Sequence, residues 1–211
     1  MFDPYLKDAL ADVRSVVKAA ARRIATESGR GADTPTLFDD AAKHPSLAET
    51  LSLRPLHVFI ADDVCTSAGW VLDPEFVRDN LVPTYARLAA EVVRSGTAAG
   101  LADTVVGFHS DGDIGELYPD LAAAGFGAVH LASVDYHEVT RLAGSASAAG
   151  MVAFGGVASE TLGGGEVADE VCRLLARTAA SDGLVVTDDA GVTNGDELDV
   201  LARAYGRVGL Y

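Results

Sequence analysis

The residues best equipped for chemistry stand in short polar runs, each directly behind an apolar one. Asp62-Asp63 follow Leu56 to Ile60, and His109-Ser110-Asp111-Gly112-Asp113 follow Thr104 to Phe108. Ser133-Val134-Asp135 follow Ala128 to Leu131, Gly155-Gly156 follow Met151 to Phe154, and Thr187-Asp188-Asp189 follow Leu184 to Val186. His109 and Asp111 lie two apart at a strand end, so their side chains leave on the same face. Such a pair binds a metal, or the carboxylate orients the imidazole as a general acid or base, or the two merely fix a loop. Asp62 and Asp63 point to opposite faces if the strand continues, so only one of them faces the interior.

The elements that must position these groups follow from the apolar rhythm. Helix-like segments separate the runs, roughly Pro74 to Ser95, Ile114 to Ala124, Tyr136 to Ala143, Glu166 to Ala179 and Asp196 to Tyr205. Continuous apolar strands alternating with helices predict a βα unit repeated five times, with a parallel sheet covered on its faces. In such folds the strand C-termini form the site face, because the following loops converge there. Four of the five strands then aim an acid or a histidine at one rim. Any single one of these residues serves equally well as a helix cap, but the cluster as a whole favours a site. His57 and His130 lie inside apolar runs and read as packed core histidines. Cys65 reads as an incidental cysteine on a loop. Gly163-Gly164-Gly165 has no phosphate-binding pattern around it and reads as a flexible connection.

Ahead of this region, Asp3 to Ser28 reads as an amphipathic helix, with Leu6, Leu10, Val13, Val17, Ala20 and Ile24 at spacings of three and four. Residues 30–55 read as a connection broken by Pro35, Pro45 and Pro55, with one short helix around Ser46 to Ser52. The 211 residues suit one domain, made of a helical segment over 1–55 and the βα region over 56–211. A net charge of −15 with no basic run disfavours nucleic acid as a partner. No apolar stretch reaches membrane-spanning length and no secretory pattern opens the chain. Two cysteines without metal-type spacing fit a reduced, cytoplasmic setting.

Several elements together resemble the uroporphyrinogen decarboxylase superfamily. The stretch Asp62-Asp63-Val64-Cys65-Thr66-Ser67-Ala68-Gly69, then Leu72-Asp73-Pro74-Glu75-Phe76 and Leu81-Val82-Pro83, is similar to that family's "DD-G … SPE-F … P" segment. Phe108 to Ile114, with Leu121 to Gly125 downstream, is similar to its "HSDG-I … L-E-G" element. Gly155-Gly156, the Glu166 to Leu175 helix and the Gly183 to Asp189 strand continue the match in order, so it covers about residues 56–211.

The resemblance implies a TIM-like (β/α) barrel, here shortened to about five parallel strands plus an N-terminal helix. It implies either cofactor-free decarboxylation of a tetrapyrrole or small carboxylate ligand, or methyl transfer between corrinoid and thiol, usually with zinc. The family's arginine-rich N-terminal third is missing. Its zinc-binding His-x-Cys pair is His109-Ser110-Asp111 here, and Asp189-Ala190 stand near its distant cysteine. With the thiolates absent, decarboxylation comes first and methyl transfer at an atypical His/Asp metal site second. A non-catalytic subunit that completes a barrel with a partner chain is the third reading. His109, Asp111 and Asp62 are the expected catalytic residues, and Asp63, Asp113 and Asp189 the expected substrate contacts. His109, Asp111 and Asp189 are the expected metal ligands, with zinc as the ion and no other cofactor implied. The expected partners are a small-molecule ligand and a second copy or another chain covering the open sheet edges.

Overall fold

The computed structural model describes residues 57–99, 101, 103–132, 134–189 and 191–208, together with Ala11, Ser15 and Ala19. Those three isolated residues are helical and exposed. The rest of the expected N-terminal helix, the connection with its short helix around 46–52, and Ser133 lie outside the described residues.

Five strands form one parallel sheet: β1 (His57–Ala61), β4 (Val105–Asp111), β5 (Ala128–Ala132), β6 (Val152–Val157) and β7 (Leu184–Asp188), in that spatial order. Between the first two lies an antiparallel hairpin, β2 (Cys65–Thr66) and β3 (Gly69–Trp70), where the sequence reading placed Cys65 on a loop. The strand order follows the sequence order, as right-handed βα units require when each strand adds to the same edge. The sheet does not close, so the α/β fold is an incomplete TIM-like barrel with β1 and β7 at its edges.

The helices begin where local chemistry dictates. Asp73 caps α1 (Pro74–Phe76): its Oδ1 accepts from the Glu75 and Phe76 amides at 2.8 and 3.4 Å, and Pro74 occupies the first turn, where no amide is needed. A π-turn over Val77–Leu81 leads into α2 (Val82–Ala98). Pro83 has no amide to return to the preceding turn, which is a physical reason for the widened turn there. The expected 114–124 helix is a 3-10 turn, Gly115–Leu117, followed by α3 (Tyr118–Ala123). Beyond it run α4 (Tyr136–Ala148), α5 (Ser159–Gly163), α6 (Asp169–Asp182) and α7 (Gly195–Val208). Gly183, in the left-handed region with φ 68°, stops α6 and lets the chain turn into β7.

Among the described residues, helices cover one face of the sheet. Val106, Phe108, Val129, Leu131, Ala153 and Val186 are buried on the helix side. Phe108 packs there between Tyr85 and Phe126, with ring centroids 4.9 and 5.6 Å away. On the opposite face Phe59, Val152 and Val185 are exposed. The sequence reading had the sheet covered on its faces, and the described helices account for one of them. The described helices that touch the strands pack on the outer side of an unclosed sheet, as in the wall of a barrel. His57 is exposed on this face too, not packed in a core as expected.

The hairpin is seated on Gly112, whose φ of 73° belongs to the left-handed region. A Cβ there would lie 2.2 Å from the Thr66 carbonyl oxygen, a backbone atom that cannot swing aside. Gly112→Ala therefore combines a strained backbone with a clash. It is expected to lower unfolding free energy by roughly 1–3 kcal/mol in urea denaturation followed by circular dichroism.

Candidate functional site

Strand register builds the site. Ala61 pairs with His109, His109 with His130, and His130 with Phe154. Laterally paired residues of neighbouring parallel strands share a face, so His109, His130 and Phe154 form a row across β4, β5 and β6 on the open side. Phe59 on β1 pairs with Gly107, where a Cβ would come within 2.3 Å of the phenyl ring. Glycine thus lets that ring lie across β4. It meets His130 edge-on at 6.1 Å and Phe154 at 5.4 Å. These aromatic groups floor a cavity of about 610 Å³, whose walls add Ala61, Asp111, Thr187, Asp188 and Asp189.

His109, Asp111 and Asp63 converge at the mouth. One ligand atom from each lies within 4.8 Å of the others. His109 Nε2 stands 3.9 Å from Asp63 Oδ1, and the Asp111 amide donates to that same oxygen at 3.4 Å. The loop after β1 is held against β4 by further bonds. The Asp62 amide donates to the His109 carbonyl at 3.0 Å, and the Cys65 amide to the buried Ser110 hydroxyl at 3.2 Å. His109 Nδ1 lies 2.8 Å from His130 Nδ1, and His130 Nε2 lies 3.0 Å from the Asp188 carbonyl oxygen. Burial, and next the neighbouring His130, push the His109 imidazole below its usual range, while Asp63 and Asp111 pull weakly the other way. The ring is therefore a neutral donor or ligand near neutral pH.

The other expected site residues are placed elsewhere. Asp62 is turned from His109 toward the helices, where its Oδ2 accepts from the Tyr85 hydroxyl at 2.5 Å. Burial first, and then that bond, hold the tyrosine far above its usual range, so it stays protonated and donating. Asp113 pairs with Arg141 and accepts from the Gly115 amide at 2.9 Å. It lines a second cavity of about 370 Å³ with Cys65, Trp70 and Glu138. Asp189 borders the main cavity, but its Oδ1 accepts from the Ser159 amide at 2.8 Å and hydroxyl at 2.6 Å, tying it to the start of α5. It is not among the three grouped ligand atoms, which come from Asp63, His109 and Asp111. His130, read as a core residue, is half-buried and borders the cavity. Its parity with His109 was the available signal, but using it requires the register between β4 and β5.

No family model and no curated protein matches the chain. Among solved structures it is similar in fold to a methyltransferase from Methanosarcina mazei, with a TM-score of 0.51 and 18% sequence identity. The match covers 83% of this chain and 53% of that one, so the chain spans about half of that structure's length. The likeness shows the fold alone, an α/β arrangement built on a parallel, barrel-like sheet. Among the described residues no helix is long and apolar enough to cross a membrane.

Because the His109 value is lowered in the folded state, the unfolded chain binds the extra proton first. The neutral ring's contribution to stability is full above the ordinary imidazole value of 6.5. It declines as pH falls through that value and levels off below the folded-state one. In metal-free protein, His109→Gln is expected to flatten the stability–pH curve in that window, as read from urea midpoints across a pH series.

Proposed function

We propose that the chain belongs to the uroporphyrinogen decarboxylase-like barrels and acts as a methyltransferase-like protein, in which Asp63, His109 and Asp111 hold a divalent cation beside an aromatic-floored ligand cavity. The observation that carries this reading is the convergence of those three ligand atoms at the strand C-termini. The fold likeness to a methyltransferase supports it further.

The donor set fits a cation of the imidazole-and-carboxylate class, such as zinc, manganese or iron(II), more than a thiolate-bound zinc. Cys65 is not among the grouped ligand atoms, and its surroundings favour the protonated thiol. Its Sγ lies 3.5 and 3.6 Å from the Thr66 and Asp113 carbonyls, either of which can accept its one S–H, and burial pushes its thiol up. When bound, the ion supplies Lewis acidity that favours the anionic form of a thiol or hydroxyl acceptor. The chain's own groups do the rest. Phe59, Phe154 and His130 take the apolar body of the ligand and exclude water beneath it. The Asp188 side chain accepts from the Gly191 amide at 2.6 Å, which keeps the rim loop closed on itself.

Decarboxylation of a polycarboxylate is the weaker reading. The main cavity is bordered by Asp111, Asp188 and Asp189 and by no lysine or arginine among the described residues. A ligand with many carboxylates would meet like charge there. The exposed apolar face, with Phe59, Val152 and Val185, supports the expectation that a second copy or another chain covers the sheet.

Purified protein is expected to bind about one equivalent of zinc or cobalt(II), measured by elemental analysis after dialysis, and to lose it in His109→Ala and Asp63→Ala. Asp62→Ala should retain the metal. Absence of metal in the parent protein, or retention in both ligand variants, sinks the reading. Light scattering is expected to give a mass above that of one chain in the presence of the partner copy; a stable lone monomer removes the self-association arm.

A further inference from the structure

We propose that His130 is a positioning residue that keeps the His109 proton on Nδ1 and so presents the Nε2 lone pair to Asp63 and Asp111. The inference rests on the cation site proposed above for its purpose; the proton assignment comes from hydrogen-bond geometry and applies where both rings are neutral. A carbonyl oxygen only accepts, so His130 Nε2, 3.0 Å from the Asp188 carbonyl, carries a hydrogen. With that ring neutral, its Nδ1 is then an acceptor. His109 Nδ1 stands 2.8 Å from it and must be the donor. The remaining nitrogen of a neutral His109, Nε2, is left with a lone pair on the side of Asp63, 3.9 Å from its Oδ1.

Two acceptors facing each other repel unless a positive charge lies between them, so the arrangement is complementary to a cation. Metal-binding histidines commonly donate their second N–H to a fixed acceptor, which sets the tautomer and raises ligand basicity. Here that acceptor is a second imidazole, itself anchored by backbone. The anchor is rigid: the Asp189 amide donates to the Val157 carbonyl at 3.0 Å, and Asp188 Oδ2 is occupied by the Gly191 amide. The chain of bonds thus crosses three strands, from β7 through β5 to β4.

The test reads the tautomer and the metal separately. In metal-free protein labelled with nitrogen-15, long-range proton–nitrogen NMR above the imidazole titration range is expected to show His109 protonated on Nδ1 and His130 on Nε2. In His130→Phe, His109 is expected to shift to the Nε2–H form, and cobalt(II) affinity to fall about 10- to 100-fold with unchanged far-ultraviolet circular dichroism. His130→Asn, whose side-chain oxygen replaces the lost acceptor, should recover most of that affinity. A parent protein with the His109 proton on Nε2 overturns the proposal whether or not the variants fold. So does a His130→Phe variant that changes tautomer yet binds cobalt(II) as before. If the parent shows the stated tautomer but binds no metal, the cation reading fails and the proton assignment stands.

Discussion

The register between β1, β4 and β5 is the constraint from which the site follows. In a parallel sheet a shift of one residue turns every side chain to the other face. The observed pairing of Ala61 with His109 and of His109 with His130 puts both imidazoles on the inner side. The same parity carries Asp63 inward and Asp62 outward to Tyr85. A slip by one position would bury His109 among the helices and leave Phe108 in the cavity.

That register also separates two kinds of apolar surface. The helix side buries a continuous core from Val64 to Ala204, where the hydrophobic effect holds the layers together. The inner side carries aromatic groups with room between them. Gly107 and Gly112 make that room possible: one admits the Phe59 ring over β4, and the other admits the hairpin carbonyl beside the cluster. Glycines at these two points are packing requirements imposed by what lies above them. Stability is drawn from one face, and ligand-sized space is left on the other.

Electrostatics sharpen the contrast within the rim. Asp62, Asp113, Asp188 and Asp189 each accept from a specific hydroxyl, guanidinium or amide, so their charge is already engaged. Asp63, which accepts the Asp111 amide, and Asp111 itself also face a desolvated imidazole, whose own partner is a second histidine. An acidic rim is common in a chain of this composition; an acidic pair aimed at a neutral imidazole is the feature that gives this one a chemical direction.

The sequence by itself determined the five strands, their parallel order with intervening helices, and the polar tails gathered at one rim. Apolar runs of strand length punctuated by Asp, Gly and Pro carry that information locally, as at Asp73-Pro74 and Gly183. It also singled out His109 and Asp111, because two positions on one strand share a face whatever the strand pairs with. Only the tertiary structure placed Asp63 beside His109, turned Asp62 to Tyr85 and Asp189 to Ser159, and set His130 along the cavity. Strands such as Val58 to Ala61 and Val152 to Val157 are apolar at both parities, so alternation gives no sign of which face is inner. That choice is made by contacts between residues far apart in the chain, Ala61 with His109 and His130 with the Asp188 carbonyl, and no local pattern records them.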